Sequence, residues 1–205
     1  MPRWRLLVAA AALVVYALVS WALMAWWPDS PWAVALLFGP LLVPMAVAAL
    51  KQRQWLSLAA ALALAAVLVL VVQRGGAEVN RLYVLQHAAI HALLAWGFAI
   101  TLRPGGTALI TMMAERIHTV FTPEMRAYTR WLTGLWVWYF MAMIAVSFVV
   151  YLLAPWPWWS FYCSVLTPLA AVGFMVAEHW LRYQRHPQFE RVSLTQVMQA
   201  WKAQR

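Results

Sequence analysis

His87 and His91 stand one helical turn apart, so on a helix both rings leave from the same face. The apolar stretch that carries them, Leu82–Leu102, holds no charged residue. An ionisable side chain at membrane depth is costly to keep there and marks a place where function is looked for first. Tyr83 and Gln86 add a phenol and an amide, which makes Tyr83, Gln86, His87 and His91 a candidate polar intramembrane site. Four chemistries fit the pair: neutral imidazoles bonded to neighbouring helices, a polar contact to a lipid or substrate head group, acid–base or proton-relay work, and metal ligation. A metal needs at least a third ligand. No carboxylate lies in any apolar stretch, and His118 and His179 fall too far along the axis to serve the same ion. Haem would need a second axial donor on a facing helix. Neither a metal nor another cofactor is therefore expected, no catalytic residue is assigned, and bonding to neighbouring helices is the simplest account. A stripe of small residues, Ala88, Ala92, Ala95 and Ala99, predicts a close-packed neighbour on that side and a bundle-facing position for the histidines.

A second set of polar residues collects at the ends of apolar stretches. Arg103, Arg116, His118, Arg126, Arg130, Arg182 and Arg185 form a candidate docking face, interspersed with Glu115, Glu124, Tyr128, Glu178 and His179. Most such residues act as topology determinants and interfacial anchors. A cationic face also attracts anionic lipid head groups and acidic soluble proteins. No Ser-His-Asp order and no phosphate-binding glycine loop occurs, and a single cysteine, Cys163, excludes an internal disulfide framework or a Cys-based zinc site.

The elements that must position these groups follow from hydropathy. Of 205 residues, 65% are apolar or aromatic and 10% charged, with a mean hydropathy of +0.71. A soluble domain carries roughly 25% charged residues, so a water-facing globule is excluded. Six apolar stretches are each near the roughly 20 residues that span a bilayer: Leu6–Trp27, Trp32–Leu50, Trp55–Val72, Leu82–Leu102, Trp131–Ala154 and Trp158–Ala177. The first is too long for a secretory signal and lacks a small-residue cleavage site, so it reads as an anchor. With both termini inside, Arg3, Arg5, Lys51, Arg53, Arg103, Arg116, Arg126, Arg130, Arg182, Arg185, Arg191, Lys202 and Arg205 are cytoplasmic and only Arg74 and Arg81 lie outside. Trp26, Trp27, Trp32, Trp156, Trp158 and Trp159 flank the outer loops as an aromatic belt. The fold class expected is all-α: a single six-helix transmembrane domain over 1–205, multi-pass, with N and C termini cytoplasmic. Residues 103–122 are expected as a cytoplasmic interfacial segment and 179–205 as a cytoplasmic tail.

Arg103-Pro-Gly-Gly106 ends the fourth stretch. Leu109, Met112, Met113, Ile117, Val120 and Phe121 then recur at helical spacing opposite Thr111, Glu115 and His118, which predicts a short interfacial amphipathic helix. Thr122-Pro123-Glu124 has the form of a helix start, so the fifth helix is expected to begin near Pro123 and run unbroken into the membrane. A second amphipathic helix is expected over Leu194–Trp201. Gly39, Pro40 and Pro44 in the second stretch and Pro168 in the sixth predict kinks, which neighbouring helices commonly absorb.

The run His87-Ala-Ala-Ile-His91 through Leu102-Arg-Pro-Gly105 and Leu109-Ile-Thr111, with Tyr128-Thr-Arg130 and Trp131 to Phe140, resembles an uncharacterised family of bacterial inner-membrane proteins over about residues 82–202. Genes of that family occur among fatty-acid and polyketide-type synthesis genes, including those for aryl polyene pigments. The resemblance implies an inner-membrane location and a setting of acyl chains, acyl carrier proteins and lipid acceptors; it names no catalytic residue. The function expected is that of an accessory inner-membrane protein assisting handling or export of an acyl or polyene-type lipid product. Its expected partners are the lipid bilayer, anionic lipids and an acidic acyl carrier protein or synthase. The alternatives are a small lipid transporter or flippase and a membrane-embedded acyl-processing enzyme. Nucleic acid is not an expected partner, because the basic residues are spread along membrane boundaries rather than gathered in one module.

Overall fold

The computed structural model describes residues 3–74, 77–118 and 121–189. The helix expected at Leu194–Trp201 lies outside the described residues. Within them every regular element is helical: α1 Arg3–Trp26, α2 Pro31–Lys51, α3 Trp55–Arg74, α4 Ala77–Ile100, α5 Leu109–Glu115, α6 Pro123–Leu153, α7 Trp156–Phe161, a π-helical turn at Tyr162–Leu166, and α8 Thr167–Arg185. Four helical runs are long and apolar enough to cross a membrane: Trp55–Gln73, Val79–Ile100, Pro123–Leu153 and Trp156–Arg185. Bent α2 makes a fifth if its two halves are one span, and α1 adds a shorter apolar run, Ala10–Trp26. The chain is thus an all-helical membrane protein with four to five candidate spans by length and composition.

Its contacts divide it into two compact units, Met1–His87 with Ser147–Leu169 and Ala88–Val146 with Ala170–Arg205. The core of the first unit gathers Met24, Val34, Phe38, Leu68, Val79, Tyr83, Val84 and Trp159. Its α2 begins with Pro31 in the first turn and Ser30 accepting from the Trp32 amide at 3.3 Å. At Pro40 the helix bends by 51°. Proline has no N–H to give the carbonyl four residues back, and that carbonyl, Leu36 O, instead accepts from the Tyr16 hydroxyl at 3.0 Å. The next, Leu37 O, accepts from Gln86 Nε2 at 3.2 Å. The kink is therefore stabilised by side chains from α1 and α4.

Of the tryptophans expected in the interfacial belt, Trp159 is a core residue and Trp156 packs partly buried against that core. Trp159 is fully buried, and its indole N–H donates to Ser147 Oγ at 3.1 Å. Trp156 donates to Met24 O at 2.7 Å and stacks on Trp159 at 4.8 Å. An indole can be buried when its one donor finds an acceptor, and both do. Trp26, Trp27, Trp32 and Trp158 remain exposed. The π turn precedes Pro168, and the Thr167 amide and hydroxyl both donate to Tyr162 O, the hydroxyl at 3.0 Å.

In the second unit α4 ends in a turn that demands glycine twice. Gly105 has φ +77°, and a Cβ on Gly106 would lie 3.1 Å from Thr101 O and 3.2 Å from Arg103 O. As expected, α6 starts at Pro123, with Thr122 Oγ1 accepting from the Met125 amide at 3.2 Å, and continues unbroken for 31 residues.

Candidate functional site

The buried seam of α4 recurs every four residues: Val79, Tyr83, His87, His91 and Ala95. Of the alanine stripe that sequence spacing singled out, Ala95 lies in the seam, Ala88 and Ala99 are half-buried and Ala92 is exposed. Bundle-facing histidines were expected, and both rings are buried. The polar groups along the seam do not converge. Tyr83 lies between the rings of Phe38 and Trp156 and donates to Pro28 O at 2.9 Å. Gln86 serves the α2 kink. His87 Nε2 lies 3.3 Å from Thr167 Oγ1, with Trp159 and Tyr162 edge-on to its ring. The Thr167 hydroxyl also reaches Tyr162 O within its own helical run. These three bonds end on the turn before α2, on α2 and on α8, so each ties α4 to a different segment. His91 belongs to the second unit and packs edge-on against Phe140 at 6.1 Å.

The second unit is organised by threonines. Ala108 precedes α5 and offers no side-chain cap, leaving the first amides of that helix to find acceptors elsewhere. Leu109 N donates to Thr101 Oγ1 at 3.0 Å and Ile110 N to Thr133 Oγ1 at 3.3 Å. Thr111 Oγ1 meets Thr129 Oγ1 at 2.8 Å. Thr101, Thr129 and Thr133 each send their own hydrogen to a carbonyl of the preceding turn, Phe98 O, Met125 O and Thr129 O. Their lone pairs are left to hold α5. One residue departs from the expected polar side: Thr111 is the buried residue of α5, while Met113 on the apolar side is 47% exposed. The helix also stops at Glu115, well short of Phe121. Hydrogen bonding to α6, which no helical wheel contains, decides which face turns in.

The seven docking-face residues separate into two kinds. Arg130 donates to Leu102 O at 2.6 Å and Gly106 O at 3.2 Å, closing the turn after α4. Arg126 pairs with Glu115 and lies over the Phe121 ring at 5.4 Å. Arg182 grips Glu178 with Nε at 2.7 Å and Nη2 at 2.5 Å, and the Tyr128 hydroxyl donates to the same carboxylate at 2.7 Å. His118 packs beside Phe121 and lines the cleft described next. Arg103, Arg116 and Arg185 are exposed and enter no ion pair among the described residues.

A cleft of about 420 Å³ opens between α4, α5, α6 and α8. Phe98, Met113, Ile117, Trp136 and Met175 form its apolar walls, and His118, Glu178, His179, Arg182 and Tyr183 its polar rim. Trp136 is held by Phe140 at 5.4 Å and Phe174 at 4.6 Å, so this wall is backed by aromatic packing. A smaller hollow of about 50 Å³ shares Ile110, Ala114, His118, Leu132 and Arg182 and is bounded by Tyr128 and Phe189. Sequence reading passed over Phe98, Trp136 and Met175 because each looked like generic span residue. The Glu178–Arg182 spacing of four was a legible signal that this arginine has a local partner. Among the described residues no group of three or more His, Cys, Asp or Glu could hold a metal ion.

Comparison with protein-family models, curated proteins and solved structures found no match for this chain.

Proposed function

We propose that the chain is an accessory inner-membrane protein that assists handling or export of an acyl or polyene-type lipid product and docks an acidic acyl carrier or synthase at its cytoplasmic face. In this reading it has six spans, with α1 and bent α2 each counted as one, and both termini are cytoplasmic. The observation that carries the docking is the division among the basic residues. Arg126, Arg130 and Arg182 are engaged within the protein, whereas Arg103, Arg116 and Arg185 project as cations available to a partner. The resemblance over about residues 82–202 supports the acyl setting. Use of Tyr16 and Gln86 at the α2 kink weighs against a transport path through its freed carbonyls.

Two experiments test it. A reporter active only in the cytoplasm, fused within residues 105–120, should be active, and one fused near Gly75 should be silent; an active Gly75 fusion breaks the topology. For docking, acidic pathway proteins should co-purify in mild detergent at low salt and be lost at high salt, because exposed charges are screened over about 8 Å at physiological ionic strength. The double reversal Arg103→Glu with Arg116→Glu should remove them. Unchanged co-purification in that variant defeats the docking.

A further inference from the structure

We infer that the cleft between α4, α5, α6 and α8 is a binding site for a single-chain amphiphile with an uncharged, hydrogen-bonding head, entering from the bilayer. The inference stands apart from the docking reading, and either can fail alone.

Size and lining set the class of ligand. At about 420 Å³ the cleft falls near the lower end of the roughly 300–1,000 Å³ common for small-molecule sites. That suits one chain rather than the two of a bilayer phospholipid. Phe98 and Trp136 offer flat apolar surface, and Met113, Ile117 and Met175 offer adaptable aliphatic surface for a chain to lie against. Access is set by exposure. Met113 and Met175 are 47% and 58% exposed, and Met175 is continuous with an exposed apolar run on α8 that includes Val172 and Val176. Because α8 is part of a candidate membrane span and its exposed apolar run ends at this mouth, a chain lying in the bilayer would enter here along an apolar surface.

Rim electrostatics choose the head. Arg182 is the one rim residue that always carries positive charge, and Glu178 already holds it through both carboxylate oxygens. Tyr128 holds Glu178 in turn. A carboxylate or phosphate head would have to share the Arg182 guanidinium with Glu178, which brings two negative charges onto one cation in a partly buried site and is unfavourable. An alcohol, amide or ester brings no second negative charge. It can bond to the His179 imidazole and to the guanidinium N–H groups that Glu178 does not take, both at the rim.

The test uses the full-length protein in phosphatidylcholine nanodiscs and a pair of medium-chain probes bearing a photoactivatable group on the chain, one a primary alcohol and one the matching carboxylate. Near neutral pH the alcohol should label peptides covering 109–118, 132–136 and 175–183, about tenfold more than the carboxylate does. Ala114→Phe, which places a ring where both hollows meet, and Met175→Trp at the mouth should each abolish that labelling. Glu178→Gln should raise carboxylate labelling at the same peptides to at least the alcohol level, since it releases the Arg182 charge. Equal labelling of the wild-type protein by both probes overturns the inference, as does labelling spread evenly over the exposed helix faces or unaffected by the two filling variants. Should Glu178→Gln fail to fold, the wild-type probe ratio and the filling variants decide the matter.

Discussion

The two units use polar groups in opposite ways. In the first, long side chains reach to backbone carbonyls left over by irregular helix geometry: Tyr16 and Gln86 to α2 at its kink, Tyr83 to Pro28 O, Trp156 to Met24 O. Each bond gives a backbone carbonyl a partner from another segment, and the unit packs around the buried Trp159. In the second, short threonine hydroxyls hold α5 against α6, and the charged groups gather at one end beside an open cleft. A hydroxyl that donates to its own helix and accepts from another element ties segments together at close range. Longer polar side chains then line the rim of that cleft. Polarity within an apolar stretch can thus tie segments together: the phenol of Tyr83, the amide of Gln86 and the ring of His87 each bond to another segment, and the cleft lies elsewhere.

If the first unit is a closed core, Trp159→Ala should produce the largest effect. It removes a fully buried indole and leaves Ser147 without its donor, at a cost of about 3–5 kcal/mol, read as a large fall in thermal stability in detergent. A fall of only a few degrees would mean that this core is loosely packed. Arg130→Leu tests the second unit. Two carbonyls lose a charged donor, for about 1–3 kcal/mol, and proteolysis between Thr101 and Leu109 should accelerate; unchanged cleavage would show that the threonines suffice. Gln86→Leu frees Leu37 O at the kink and should cost about 0.6–1.5 kcal/mol, measured by thermal denaturation in the same detergent. The smallest effect is expected for Arg103→Glu with Arg116→Glu. These exposed residues have no described ion pair, so stability should stay within about 0.5 kcal/mol of wild type. A larger loss would place them among the fastenings with Arg126 and Arg130.

The helical fold, the membrane class, the start of α6 at Pro123, the turn at Gly105-Gly106 and the burial of His87 and His91 were all legible in the sequence. Each depends on quantities written locally: apolar run length, the missing proline N–H, glycine's access to positive φ, the one-turn spacing of two rings. What escaped was every choice among faces. Six tryptophans looked alike, yet Trp159 is buried and Trp156 partly so, because Ser147 Oγ and Met24 O accept from their indoles. Thr111 looked like the polar side of an interfacial helix, yet it is buried because Thr129 stands opposite. Seven residues looked like one docking face, and partners on other turns or other elements divided them.

By itself, then, the sequence determined that this protein is helical, membrane-embedded and strongly basic, where its helices break, and which residues are polar at depth. The tertiary structure alone decided which of those polar residues are satisfied, which cations stay available, and that Phe98, Trp136 and Met175 enclose a cleft with the Glu178–Arg182 pair at its rim. The physical reason is that backbone preference and hydropathy are properties of neighbours along the chain. Hydrogen-bond satisfaction and enclosed volume are properties of neighbours in space, and exist only once distant segments have met.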